Sequence, residues 1–198
     1  MNPIVEMDAD ALSRVIHGRQ VSCREVMQAY LAQIERFNPQ VNALVSLRPA
    51  EELLAEADAC DRQLDQGQSR GWMHGMPQAV KDLAATAGLR TSMGSTLFAE
   101  HIPQHDAISV ARVRDCGAII IGKSNVPEFG LGSQTYNSVF GTTTNAYDPT
   151  LIAGGRSGGG AVAVGFAAAT RGGACPRRAL CCGGCPGSWR LAPSRRLR

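Results

Sequence analysis

The chain is predicted to be an α/β protein with a layer of helices at its N-terminal end. Three observations carry this. The first 70 residues hold three stretches whose apolar side chains recur three and four residues apart. From His74 onward, short apolar strands alternate with glycine-rich loops and a helix. From Leu151 to Ala169, five glycines crowd around Ser157 ahead of a run of small apolar side chains. Helix, glycine, apolar strand and loop in succession is the rhythm of a sheet layered with helices.

The first helix sets Leu12, Val15 and Ile16 on one face and is closed by Gly18. Ser22 followed by Glu25 makes a capping box, in which hydroxyl and carboxylate each satisfy a free amide, and Met27, Tyr30, Leu31, Ile34 and Phe37 then share one face. Asn38-Pro39 is expected to end this second helix, because proline clashes with the preceding turn and disfavours helical geometry in the residue before it. A short segment, Val41 to Leu47, leads to a third helix from about Pro49 to Gln66, and Gly67 to Gly71 form a loop. Nothing in these residues suggests chemistry; they read as a layer that packs on something else.

Pro77 to Val80 is expected as a short strand that delivers Lys81 at its end, followed by Asp82 and the small residues Ala84, Ala85 and Ala87. A lysine at a strand end is ordinarily solvated, so Lys81 alone defines no site. Thr91 to Thr96 form a loop, Asp106 to Cys116 a helix capped by Gly117, and Ala118 to Ile121 a buried strand. Glycine accepts positive φ and admits close approach, so Leu151 to Ala169 is either a tight loop built for contact with backbone or ligand, or a buried Ala/Gly-rich helix entered through a turn.

Two phosphate-binding patterns fail on context. Gly117 to Ser124, GAIIIGKS, matches G-x-x-x-x-G-K-[ST], but a working phosphate loop follows a strand and opens a helix at its lysine. Here the intervening residues are themselves a strand, and Asn125-Val126-Pro127 disfavours a helix. Gly158 to Ala163 fits G-x-G-x-x-A, yet Asp148-Pro149 interrupts any preceding strand and no acidic residue follows to hold a ribose.

Composition supports one sizeable soluble core, with 44% hydrophobic and 19% charged residues among 198. No apolar run reaches about 18 residues, and the acidic start MNPIVEMDAD lacks the basic and apolar regions of a signal peptide, so a cytoplasmic setting without membrane contact is expected. Charge divides the chain. From Arg171 onward there are seven arginines and no Lys, Asp or Glu, whereas the first 170 residues carry 17 acidic and 13 basic side chains. The overall +3 therefore belongs to the tail, and the main body is expected to bind no nucleic acid. Four of the seven cysteines also lie in this tail. It admits three readings: an arginine-rich nucleic-acid arm, a metal or redox site from Cys175, Cys181, Cys182 and Cys185, or a disordered or out-of-frame extension. Only the last accounts for a compositional break inside a helix-like run. The expected organisation is residues 1–170 as one segment and residues 171–198 as an Arg/Cys-rich tail.

Three motifs in order carry a family resemblance: VKD at Val80 to Asp82, the run from Asp106 to Asp148, and the glycine-serine loop at Gly154 to Gly160. Over roughly residues 5 to 170 the chain resembles the amidase signature family. The resemblance implies a mixed sheet covered by helices, hydrolysis or transfer of amide groups, no metal and no organic cofactor. The partner it implies is a small-molecule amide. A typical member is more than twice as long, so the chain would correspond to the N-terminal part of such a domain, truncated, with unpaired strand edges that favour aggregation.

The family's chemistry is a Ser–Ser–Lys relay. The resemblance implies that Lys81 is its base, which requires burial and neighbouring donors to draw a lysine from about 10.4 to near neutrality. A bridging serine, preceded by a cis peptide costing about 3 kcal/mol, would sit in the loop Gly154 to Gly160 and activate a nucleophilic serine about two dozen residues on. Ser133, Gly154 and Gly155 are implied in substrate binding. The family loop reads G-G-S-S-G-G with the first serine bridging, but here that position is Arg156 and only the second survives, as Ser157. Arginine does not release a proton at working pH, and a one-residue slip is expected to reorient a serine side chain. The nucleophile's D-x-x-G-G-S segment is expected near position 180, where Leu180 stands. The chain is thus expected to be an amidase by descent that is inactive as given. The alternatives are a non-catalytic amide-binding or scaffold role, or an amidotransferase-type subunit that transfers ammonia.

Overall fold

The computed structural model describes residues 2–166. The tail from 171 to 198, with Leu180 and the four clustered cysteines, lies outside the described residues, as does the end of the Leu151 to Ala169 stretch.

The N-terminal layer is helical, as its periodicity requires. Helix α1 (Pro3–Glu6) is followed by α2 (Ala9–His17), whose first turn is capped by the Asp8 carboxylate. Leu12 and Ile16 are fully buried, and burial of side chains this size stabilises by about 1.5–3 kcal/mol each. Helix α3 (Cys23–Val41) opens with the predicted capping box: Ser22 Oγ accepts from Glu25 N at 3.0 Å, and Ser22 N donates to Glu25 Oε2 at 2.8 Å. A second carboxylate reinforces this end. Asp61 of α4 (Ala50–Asp65) accepts from Cys23 N and Arg24 N at 2.7 and 3.1 Å, where an anion also meets the positive end of the helix dipole.

The end of α3 differs from expectation. Asn38-Pro39 does not end α3, which continues through Pro39 to Val41. Proline so close to the terminus forfeits one backbone hydrogen bond without an interior turn to break. The stop comes at Asn42, at φ +49°, with Asn38 Oδ1 accepting from the following Ala43 N and Leu44 N.

The central sheet has three strands in the order β1 (Leu44–Val45), β3 (Ile119–Ser124), β2 (Pro77–Lys81); β1 runs antiparallel and β2 parallel to β3, so the sheet is mixed. Strand β3 is longer than Ala118 to Ile121, reaching Lys123 and Ser124, and all six residues are buried. Its alternation divides the core. Ile119 and Ile121 join the cluster of the helical layer, while Ile120 packs with Val80 and Val110 on the opposite face. That face is covered by α5 (Ile108–Asp115), shorter than expected because Asp106 instead accepts from Ala87 N at 2.7 Å.

The pairing then slips. Gln78 lies opposite Ile120 but Ala79 lies opposite Gly122, so Ile121 is an extra residue, a bulge that resets the alternation. Beyond it Val80 pairs with Lys123 and Lys81 with Ser124, which puts Lys123 on the α5 face and Lys81 with Ser124 on the other. A small ribbon, β4 (Tyr136–Asn137) with β5 (Gly141–Thr142), and helix α6 (Gly158–Gly165) complete the described residues.

Cys23, at the start of α3, is buried under the chain entering β2. Gly75 there takes φ +71°, and a β-carbon on it would overlap the Cys23 sulfur. No helix among the described residues is long and apolar enough to cross a membrane.

Ser22→Ala removes the hydroxyl half of the capping box. It is expected to cost about 1 kcal/mol of stability, seen as a lower urea midpoint with an unchanged denaturant slope.

Candidate active site

Lys81 leaves the sheet at the C-terminal end of β2, half-buried, and its Nζ lies 2.9 Å from Ser157 Oγ. The residue that brings the hydroxyl there is at the N-terminus of α6. A serine in that position ordinarily caps its helix with its own side chain. Ser157 makes no such cap. Thr135 takes over instead, its Oγ1 accepting from Gly158 N at 3.1 Å and donating to Gly155 O at 2.7 Å, so the Ser157 hydroxyl is left for Lys81.

The loop carrying Ser157 is fixed from both sides. Gln134 and Gly154 form an antiparallel bridge, Thr135 N donates to Ala153 O at 2.9 Å, and Gly155 N donates to Ser133 O at 2.6 Å. Beneath it, Gly159 meets backbone directly: a β-carbon there would overlap the amide nitrogen and carbonyl oxygen of Asn125. Both open readings of the glycine stretch thus hold in part, since a loop built for close backbone approach leads straight into a small-residue helix.

Of the residues singled out in sequence, Lys81, Ser157, Gly154, Gly155 and Ser133 are brought together. Ser133 does so through its carbonyl, its side chain being exposed. Arg156 points to solvent. The expected cis peptide is not found, as every peptide bond among the described residues is trans. The reversal is made by Gly155 at φ +93°, and a trans chain from there carries the next-but-one residue, Ser157, to the amine.

A fully buried lysine lies on the opposite face of the sheet from this pair, and sequence reasoning did not assign it to the site. Lys123 is fully buried, donating to Ala84 O at 2.6 Å and to Thr86 Oγ1 at 2.7 Å. Desolvation lowers its pKa to about 8, opposed by the charges of Asp82 and Asp106. Asp82, also fully buried, accepts from Ser92 Oγ at 2.7 Å and Ser92 N at 3.2 Å. Burial pushes its carboxyl above the ordinary range, against the pull of Ser92 and Lys123. The signal for Lys123 lies in the sequence: a lysine inside an otherwise apolar strand must find acceptors.

Comparison with known proteins places the chain in a family. The Amidase family model matches residues 25–173. This chain belongs to the amidase family. Among its amidase relatives, the glutamyl-tRNA(Gln) amidotransferase A-subunit of Acidothermus cellulolyticus is 40% identical over 164 residues, covering 83% of this chain and 32% of that protein. The Thermus thermophilus protein of the same name is 43% identical over 152 residues, covering 77% and 30%. A crystal structure described as an amidase superposes with a TM-score of 0.75 at 34% identity, over 82% of this chain and 37% of that one. Fatty acid amide hydrolase, at 22% identity, shares the fold with a TM-score of 0.78, over 84% and 29%. The chain spans about a third of the length of the curated amidase relatives it matches.

The lowered pKa of Lys123 has a thermodynamic consequence. Between about pH 8 and 10.5 the unfolded chain binds the proton that the folded chain has released, so this group's contribution to stability rises with pH across that window. The stability difference between wild type and Lys123→Met, measured by urea unfolding at pH 7.5 and pH 9.5, is expected to move in favour of wild type at the higher pH.

Proposed function

We propose that this chain carries the proton-relay part of an amide-hydrolysing site. The observation that supports it is the 2.9 Å contact between Lys81 Nζ and Ser157 Oγ, at the junction of a strand end and a glycine-bound helix start in an amidase-family chain. In this reading Lys81, when neutral, accepts the Ser157 hydroxyl proton as Ser157 takes one from a nucleophilic serine. That serine's oxygen bonds to the amide carbon, and the departing nitrogen recovers the proton along the same path. Water then cleaves the acyl ester. The loop amides and carbonyls at Ser133, Gly154 and Gly155 border the space where a small amide would lie.

Two residues limit the reaction. Arg156 stands where the family carries its bridging serine, and it is the next residue, Ser157, whose hydroxyl lies within hydrogen-bond reach of Lys81. No D-x-x-G-G-S segment occurs in the 198 residues, and Leu180 occupies the expected place of the nucleophile. The 198-residue chain is therefore read as inactive in turnover. A second reading, in which the chain moves ammonia as one component of an amidotransferase, is favoured by the name shared by its relatives of 36–43% identity. It predicts association with further subunits.

Purified 198-residue chain is expected to show no acyl-enzyme by mass spectrometry and no amide turnover; either one appearing sinks the inactivity. The relay itself is tested by grafting residues 25–165 into a full-length amidase relative. Hydrolysis by the graft is expected to fall about 10²–10⁴-fold on Lys81→Met. A graft indifferent to that change refutes the relay.

A further inference from the structure

We propose that Lys123 is a positioning residue for Lys81: from the opposite face of the sheet, its buried amine holds the turn that Lys81 begins and so keeps the Lys81 amine at Ser157. The inference rests on the reading of Lys81 and Ser157 as a relay pair.

The chain contains only two lysines, and they lie on neighbouring strands at the same end of the sheet. The bulge at Ile121 turns them to opposite faces. Below the sheet end, the chain after Lys81 folds back at once: Ala84 N donates to Lys81 O at 3.0 Å, and Asp82 N donates to Ser124 O at 3.2 Å. Of the two acceptors of Lys123, Ala84 O belongs to the residue that closes this turn, and Thr86 Oγ1 lies two residues beyond it and is tied back to it by donating to Ala84 O at 3.1 Å. A continuous chain of contacts thus runs from Lys123 through Ala84 to the carbonyl of Lys81. Ser92 fastens the turn a second time through the Asp82 carboxylate, with Gly94 N in turn donating to Ser92 Oγ at 3.0 Å.

A strand lysine could instead be a core amine that merely satisfies its own hydrogen bonds. Two features separate the cases. Lys123 directs its hydrogen bonds to the segment that follows Lys81, at Ala84 and Thr86, rather than to its own strand or to α5. The other charged groups that bear on it are Asp82 in the turn, Asp106 ahead of α5 and Arg114 on α5, and Arg114 is itself engaged by Asp106 at 2.9 Å. Among these groups, the carboxylate left to balance Lys123 is Asp82, which follows Lys81 directly.

Having two lysines makes the test direct. Competitive acetylation of the full 198-residue chain between pH 7 and 11, read by mass spectrometry on the two lysine-bearing peptides, gives the titration midpoint of Lys81 whether the chain is monomeric or associated. Lys123, fully buried, reports folding by remaining unacetylated. Thr86→Val removes one acceptor of Lys123 without altering any charge. It is expected to move the Lys81 midpoint by roughly half a pH unit, about threefold in proton affinity, with Lys123 still protected. Lys123→Met is expected to move it further, and Val110→Ala, a core change in the cluster beside Lys123, to leave it in place. A Lys81 midpoint unchanged by Thr86→Val in a folded chain overturns the proposal, whether or not Lys123→Met folds. Ser157→Ala reads the relay separately. If it leaves Lys81 unmoved, the relay reading fails while the effect of Thr86→Val still decides the positioning role.

Discussion

The first turn of α6 rests on the backbone of Asn125 with no side chain between them, and the geometry of the site follows from that contact. Any residue larger than glycine at position 159 would lift the helix away from the end of β3. With the helix seated, its N-cap residue can fall only beside the end of β2, the neighbour of β3, where Lys81 emerges. Thr135 completes the arrangement by taking the capping duty, which frees a hydroxyl that a helix start would otherwise consume. The site is therefore produced by backbone proximity, with side chains filling roles that the backbone leaves open.

Behind it, the sheet carries a charge pair that an apolar core would not need. An ammonium and a carboxylate, both fully buried, are costly to desolvate, and the shifts at Lys123 and Asp82 both run toward the neutral forms. The ammonium of this pair is held by hydrogen bonds to the segment that follows Lys81. The Ile121 bulge is what makes it possible. Without the extra residue, β3 would keep its alternation and Lys123 would face the helical layer, away from Asp82.

Much of the architecture is legible in the sequence because it follows from local rules. The capping box at Ser22 and Glu25, the apolar faces of the helices and the strand leading to Lys81 depend on spacing alone. The glycines around Ser157 likewise announce close approach. Pro39 misleads because its effect depends on how near the helix end lies, which local pattern does not give. Lys123 is hidden inside a phosphate-loop pattern that fails on context, and its burial follows from the strand that stands in place of that loop. The bulge has no sequence signature: the register of two strands is a property of the pair. The same holds for the capping by Thr135, since a partner so far ahead of Ser157 in the chain becomes visible only once the loop is closed.

The packing of Cys23 beneath Gly75 bears on how the protein meets oxidants. Burial raises the thiol, and the nearby Asp61 carboxylate raises it further, so the reactive thiolate is suppressed. Cys60 is buried and shifted the same way, and both are free thiols. Sulfur here serves as a small space-filling atom under a glycine that has no room for a β-carbon. Peroxide or disulfide exchange would have to wait for the helical layer to open, which makes the integrity of that layer, rather than the redox poise of its surroundings, the guardian of these two side chains.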